Sequence, residues 1–218
     1  MLGAAVESTL PAVRRMRVAP PPQGPIVLGV DPDVSGALCV LRMPHSEPIG
    51  GSTRGGGGTG GALTAAVYDT PVVRVRYGKS MRRRHDARAI AELLSGLQAS
   101  PGSLAFLEQP GPMPRNGSIS LFGSGYGFGV WMGALAAMGF DVHTVRPAAW
   151  KKGLGLAGKK YTKDDSRFTA AATFPALEDD LKRKKDHGRA EAALIAAYGL
   201  DLTVRKPEPD ADEDRPAE

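Results

Sequence analysis

The chain reads as an α/β protein: a mixed sheet of five strands with helices packed on both faces. Three observations lead there. Two apolar runs flank a turn-forming stretch near the start, later apolar runs alternate with segments of helical spacing, and the last third is helical. A hairpin-rich beginning followed by β-α-β-α alternation is the pattern of a mixed rather than a purely parallel sheet. One domain over residues 25–200 accommodates all of it.

The elements follow in order. Ile26-Val27-Leu28-Gly29-Val30 is a short, fully apolar run that ends on Asp31, as a buried strand does. Asp31-Pro32-Asp33-Val34-Ser35-Gly36 supplies turn chemistry, and Ala37 to Leu41 is apolar again, which makes a hairpin. Val67 to Tyr77 carries β-branched alternation and is expected to form one edge strand. Asp86 to Gln98 places Ile90, Leu93, Leu94 and Leu97 at helical spacing. Leu104 to Leu107 is a buried strand closing on Glu108; Phe128 to Met138 is a small-residue helix, and Val142 to Val145 the fifth strand. Lys163 to Phe174 and Gly188 to Tyr198 are helices.

Three segments fall outside this pattern. Residues 1–24, with three arginines and Pro20-Pro21-Pro22, read as a flexible arm without the apolar core of a secretory signal. Residues 44–64 include four consecutive glycines and read as a mobile loop. Residues 201–218 carry seven acids against three bases and read as a disordered acidic tail.

Of the 218 residues, 42% are hydrophobic and 23% charged, which suits a globular domain. Uninterrupted apolar stretches stay well below the roughly 20 residues of a membrane span, so no membrane partner is expected. The single cysteine, Cys39, excludes an internal disulfide framework and a cysteine zinc site, and its apolar surroundings make it a small buried hydrophobe. The net charge of +5 conceals an asymmetry: the tail from Asp201 carries −4, so residues 1–200 carry +9. A body that basic points to a polyanion.

The acids are placed differently from the bases. In α/β sheets functional groups collect just beyond strand ends, on loops held by the scaffold. Asp31 and Glu108 each close an apolar strand, and if those strands are neighbours their carboxylates converge. Like charges at such range call for a cation between them. Asp186 stands at the start of the last helix and Glu191 in its second turn. Asp31 before Pro32 also suits a plain turn, and Asp186 also suits a plain helix cap. An oxygen-only donor set selects hard cations, Mg²⁺ with Mn²⁺ as a substitute; two such ions about 4 Å apart clamp a phosphodiester.

The segments Leu28-Gly29-Val30-Asp31-Pro32, Phe106-Leu107-Glu108-Gln109-Pro110 and Lys185-Asp186-His187-Gly188-Arg189-Ala190-Glu191-Ala192-Ala193 together resemble the RuvC-type Holliday-junction resolvases of the RNase H-like superfamily. Arg146-Pro147-Ala148-Ala149-Trp150-Lys151-Lys152 and the lysine-rich stretch from Gly158 to Lys163 are similar to the same family, and most of all to its chloroplast members from plants and green algae. The resemblance spans about residues 26–199. It implies an RNase H-like fold and a homodimer that nicks four-way DNA junctions symmetrically with two Mg²⁺ ions per site. It also implies a chloroplast location. Asp31, Glu108, Asp186 and Glu191 match the metal-binding acids, and Lys163 resembles a lysine that assists at the scissile phosphate. Family members usually space the last two ligands three residues apart. Asp186 and Glu191 are five apart, which leaves the third ligand between Asp186 and His187.

Lys151, Lys152, Lys159 and Lys160 are candidates for phosphate contacts, as is the run Arg82-Arg83-Arg84. Base contacts would fall to Arg115, Asn116 or Ser118 in the stretch after Glu108. The glycine run from Gly123 to Gly129 follows no strand directly and precedes no suitably spaced ribose-binding acid, so no nucleotide cofactor is expected. His45, His85 and His143 are scattered and read as structural or solvated. Two other readings remain: a non-catalytic junction-binding protein, and an actin-like ATPase or sugar kinase, to which Gly29–Gly36 bears a superficial likeness.

Overall fold

The structure is a computed structural model that describes residues 25–43, 63–111, 117–158 and 161–205. The arm over 1–24, the glycine-rich loop over 44–62, the tail beyond Arg205, and the candidates Arg115, Asn116, Lys159 and Lys160 lie outside the described residues.

Five strands form the central sheet: β1 (Ile26–Val30), β2 (Ala37–Arg42), β3 (Thr64–Asp69), β6 (Leu104–Glu108) and β7 (Asp141–Val145), in the order β3-β2-β1-β6-β7. β1, β2 and β3 pair antiparallel, whereas β1, β6 and β7 run parallel. This is the mixed five-stranded sheet that the sequence pattern predicts. Side chains alternate across it. Ile26, Leu28 and Val30 pack with Ile90 and Leu94 of α1 (Ala87–Gly96) and with Trp131 and Leu135 of α2 (Ser118–Ala137). Val27, Cys39 and Leu41 pack on the other face, against the alanine-rich α5 (His187–Gly199) and Ala170 of α4 (Lys163–Thr173). Gly29 is required there. A Cβ at that position would run into the Ala192 carbonyl and the Ala196 backbone, so its absence lets α5 lie directly on β1. Cys39 is fully buried in this layer, and burial pushes its thiol pKa upward, as a packing role requires.

Three sequence expectations need correction. The single strand expected over Val67–Tyr77 is two strands: β3 ends at Asp69, and β4 (Val72–Tyr77) pairs with β5 (Ser80–His85) in a separate hairpin. Pro71 lies at the break and cannot donate to a ladder, and the arginine-rich β5 has no apolar alternation to reveal it. The helix expected from Phe128 begins instead at Ser118 and runs 20 residues through the glycine run. Glycine weakens an isolated helix by about 1 kcal/mol per residue, but here tertiary contact overrides propensity at Gly127. That helix is also long and apolar enough, by length and composition, to cross a membrane, contrary to the expectation that no stretch would be. Trp131 and Leu135 nevertheless anchor it in the core. A short helix, α3 (Pro147–Gly153), was not expected; Pro147 stands at its start, where the missing N–H costs nothing.

Candidate metal centre and nucleic-acid interface

The sheet register creates the site. Val30 pairs with Leu107 on the neighbouring parallel strand, so the next residues, Asp31 and Glu108, emerge side by side at the same sheet end. Alternation along β1 and β6 sends both toward the face covered by α5. Gly188 opens that helix, and a Cβ there would come within 3.3 Å of Asp31 Oδ2. Gly36 also packs against this carboxylate, where a Cβ would come within 2.8 Å of Asp31 Oδ1. Asp31 is consequently only 6% exposed, and its Oδ1 accepts from the Asp33 backbone N–H at 3.2 Å. Glu191, one turn into α5, faces the same space.

Electrostatics bind these groups into one set. Burial raises the Asp31 pKa well above the carboxylate range, and the charges of Asp33, Glu191 and Glu108 raise it further. Burial also lifts Glu108, to about 7, with Glu191 and Asp33 adding to the rise. Two neighbours on α3 counter it: Trp150 Nε1 donates to Glu108 Oε2 at 2.6 Å, and the Lys151 ammonium lies close enough to lower the Glu108 pKa. Lys151 Nζ itself donates to Glu191 Oε1 at 3.1 Å. Consecutive residues of one short helix thus hold the two glutamates.

Asp186 stands apart. It occupies the N-cap position of α5 but makes no cap hydrogen bond. Its carboxylate, 3% exposed, accepts from the Arg183 backbone N–H at 2.9 Å and from the Arg183 guanidinium at 2.8 Å. Burial alone would raise its pKa; the Arg183 contacts outweigh that and hold it below the usual value. The larger influences on Asp31 and Glu108 come instead from burial and from Asp33, Glu191 and each site's own neighbours. His187 approaches the Lys184 carbonyl at 3.4 Å. Lys163 is the first residue of α4, within the Thr162–Asp165 capping box.

Among the described residues no three acidic, histidine or cysteine side chains close on one point as a metal cage. The residues fit a divalent cation by their chemistry. The donors are all carboxylate oxygens, the buried Asp31 and the half-buried Glu108 repel each other, and the lysine among them is committed to Glu191. Asp31, Glu108 and Glu191 would hold it, with Asp33 at the rim.

Beside the acids opens a cavity of about 480 Å³. Its walls are Asp33–Ser35, the β4–β5 hairpin with Arg82, Arg83 and Arg84, and the first half of α2. In the hairpin Arg74 sits directly opposite Arg83. Like charges so placed destabilise a ladder, and a polyanion relieves them. Arg84 lies 4.1 Å from the ring centre of Tyr126, which stacks with Phe122 at 6.5 Å. Ser118 and Lys152 are exposed. Sequence reasoning missed Trp150 and His85 as site residues: each is a lone aromatic whose partner lies far away in the chain.

No family model matches the chain. It is 39% identical over 151 residues to a Holliday junction resolvase, MOC1, described as chloroplastic, from Chlamydomonas reinhardtii. That alignment takes in 62% of this chain and 17% of the longer relative, so the chain spans about a sixth of that relative's length. Among solved structures, RuvC of T. thermophilus in complex with a Holliday junction substrate aligns over 84% of this chain and 99% of its own, at 14% identity and a TM-score of 0.48. A second structure of Thermus thermophilus RuvC covers the same shares at 14% identity and a TM-score of 0.46. The resemblance read from the acid motifs, to RuvC-type resolvases of the chloroplast kind, is borne out by the 39% identity.

Proposed function

We propose that this chain is a divalent-metal-dependent endonuclease that resolves four-way DNA junctions by nicking two opposing strands. The observation that carries the reading is the pair Asp31 and Glu108: one buried and one half-buried carboxylate, repelling each other at adjacent strand ends, beside an arginine-lined cleft. The similarity to a chloroplastic Holliday junction resolvase supports the substrate and, for this chain, a chloroplast location.

Mg²⁺ or Mn²⁺, two ions per site, would supply a water of lowered pKa and charge neutralisation at the leaving oxygen. The chain's own residues do the rest. Trp150 fixes one oxygen of Glu108 and leaves the other free, and Lys151 holds Glu191 against the same space. Arg82–Arg84, Lys152 and Lys163 would bind phosphates and position the strand without reading its sequence. Symmetric nicking needs two sites, and α2 supports a homodimer: Ile119 is 54% and Phe122 61% exposed, and Gly125, Gly129 and Gly133 recur every four residues with open space beyond each. A helix pair can approach closely on such a surface.

The test is nicking of a synthetic four-way junction with Mg²⁺, Mn²⁺ or EDTA by the native protein and by Glu108→Gln. Binding without nicking by the native protein at every metal concentration would leave a junction-binding protein and remove the nuclease.

A further inference from the structure

His85 ends the arginine hairpin and is 3% exposed, yet it faces neither solvent nor an aliphatic core. Its Nε2 lies 2.7 Å from the carbonyl oxygen of Pro32, between Asp31 and Asp33. A carbonyl can only accept, so Nε2 carries the proton, and burial lowers the ring's pKa toward that neutral form. The third element to reach this point is α2. A Cβ at Gly127 would strike the His85 ring and fall 2.9 Å from the Pro32 oxygen, so glycine there lets the helix pack on the hydrogen bond. Three elements that are separate in sequence thus meet at one bond: the acid loop, the arginine hairpin and the aromatic helix. The hairpin shares no ladder with the central sheet.

We propose that His85 is a positioning residue: through the Pro32 carbonyl it locks the Asp31–Asp33 loop to the arginine hairpin and to α2. The carboxylates are thereby held in register with whatever phosphate the hairpin seats. This rests on the reading of Asp31 as a cation-binding acid. Asp33, exposed at the cavity rim, is the other charged group facing the ring, and Arg84 and Tyr126 border it. Pro32 has no backbone N–H, so its carbonyl is the one main-chain group it can offer. The Asp33 N–H to Asp31 Oδ1 and Gly36 N–H to Asp33 O bonds close the turn itself, and His85 ties that turn to the hairpin.

The experiment measures Mn²⁺ affinity by calorimetry without DNA, and kcat and KM for junction nicking, for the native chain, His85→Ala, His85→Gln and Gly127→Ala. Outer contacts of this type are worth about 10- to 100-fold in metal affinity or rate. His85→Ala is expected to lose at least about tenfold in Mn²⁺ affinity and in kcat, with KM changed less than about threefold. His85→Gln, which can still donate to Pro32, recovers most of both. Gly127→Ala keeps the histidine itself but pushes its ring off the Pro32 carbonyl and so reproduces the loss, which keeps the test open should His85→Ala fold poorly. Unchanged Mn²⁺ affinity in both alanine variants overturns the assignment, whatever the native protein cuts. Normal Mn²⁺ effects with no nicking by the native chain would instead retain His85 and overturn the nuclease reading.

Discussion

Trp150 Nε1 donates to Glu108 Oε2 at 2.6 Å, joining a helix after β7 to the end of β6 across 42 residues of sequence. The indole is fully buried and Glu108 half-buried, so this bond restrains the glutamate that is proposed to hold the cation. Trp150→Phe keeps the ring volume and deletes the donor. Because the bond lowers the Glu108 pKa, its loss moves the acidic limb of the nicking profile to higher pH. Leaving the buried carboxylate unpartnered also costs about 1–3 kcal/mol at pH 8. Denaturant unfolding and a pH–rate series measure the two effects.

The same carboxylate sets the metal-free stability. Glu108 has a folded pKa of about 7 against an ordinary 4.5. Between those values the folded protein binds a proton that the unfolded chain has released, so stability falls as pH rises from about 4.5 to about 7. The buried Asp31 acts in the same direction. Melting in EDTA should show this decline, Glu108→Gln should flatten it, and added Mn²⁺ should reverse it at pH 8. Metal affinity should rise up to about tenfold per pH unit below 7 as the Glu108 proton is displaced, and level off above.

Glu191 and Asp186 should separate cleanly. Glu191→Gln is expected to weaken Mn²⁺ binding at least about tenfold. Asp186→Asn breaks the Arg183 contacts and lowers the melting temperature while leaving Mn²⁺ affinity within about twofold, since the Asp186 carboxylate is already engaged by Arg183. Calorimetry on both variants decides which acid belongs to the centre.

Gly129→Leu fills the open surface of α2 without touching the core, where a Cβ meets nothing. Sedimentation should then show monomer in place of dimer, and nicks on the two opposing strands should become uncoupled.

The strand ends were legible because they rest on local signals. Apolar runs closing on Asp31 and Glu108 need only alternation and length to read, and their convergence follows from one register. The hairpin was not legible, because β5 is held by pairing with β4 rather than by an apolar face. α2 was foreshortened because glycine propensity opposes a helix that packing at Gly127 and Trp131 enforces. Asp186 carries a pairing that motif reading does not show: an acid at a helix start looks the same in sequence whether or not an arginine three residues back engages it. Trp150, Lys151 and His85 gained their roles from partners 40 or more residues away.

The central claim is met most directly by one metal-titrated cleavage assay on four substrates: a four-way junction, linear duplex, a flap and an RNA–DNA hybrid. The expected result is paired nicks in the junction with Mg²⁺ or Mn²⁺, none in EDTA, and little cutting of the other three. Equal cutting of all four would contradict junction resolution, and no cutting of any would contradict the nuclease.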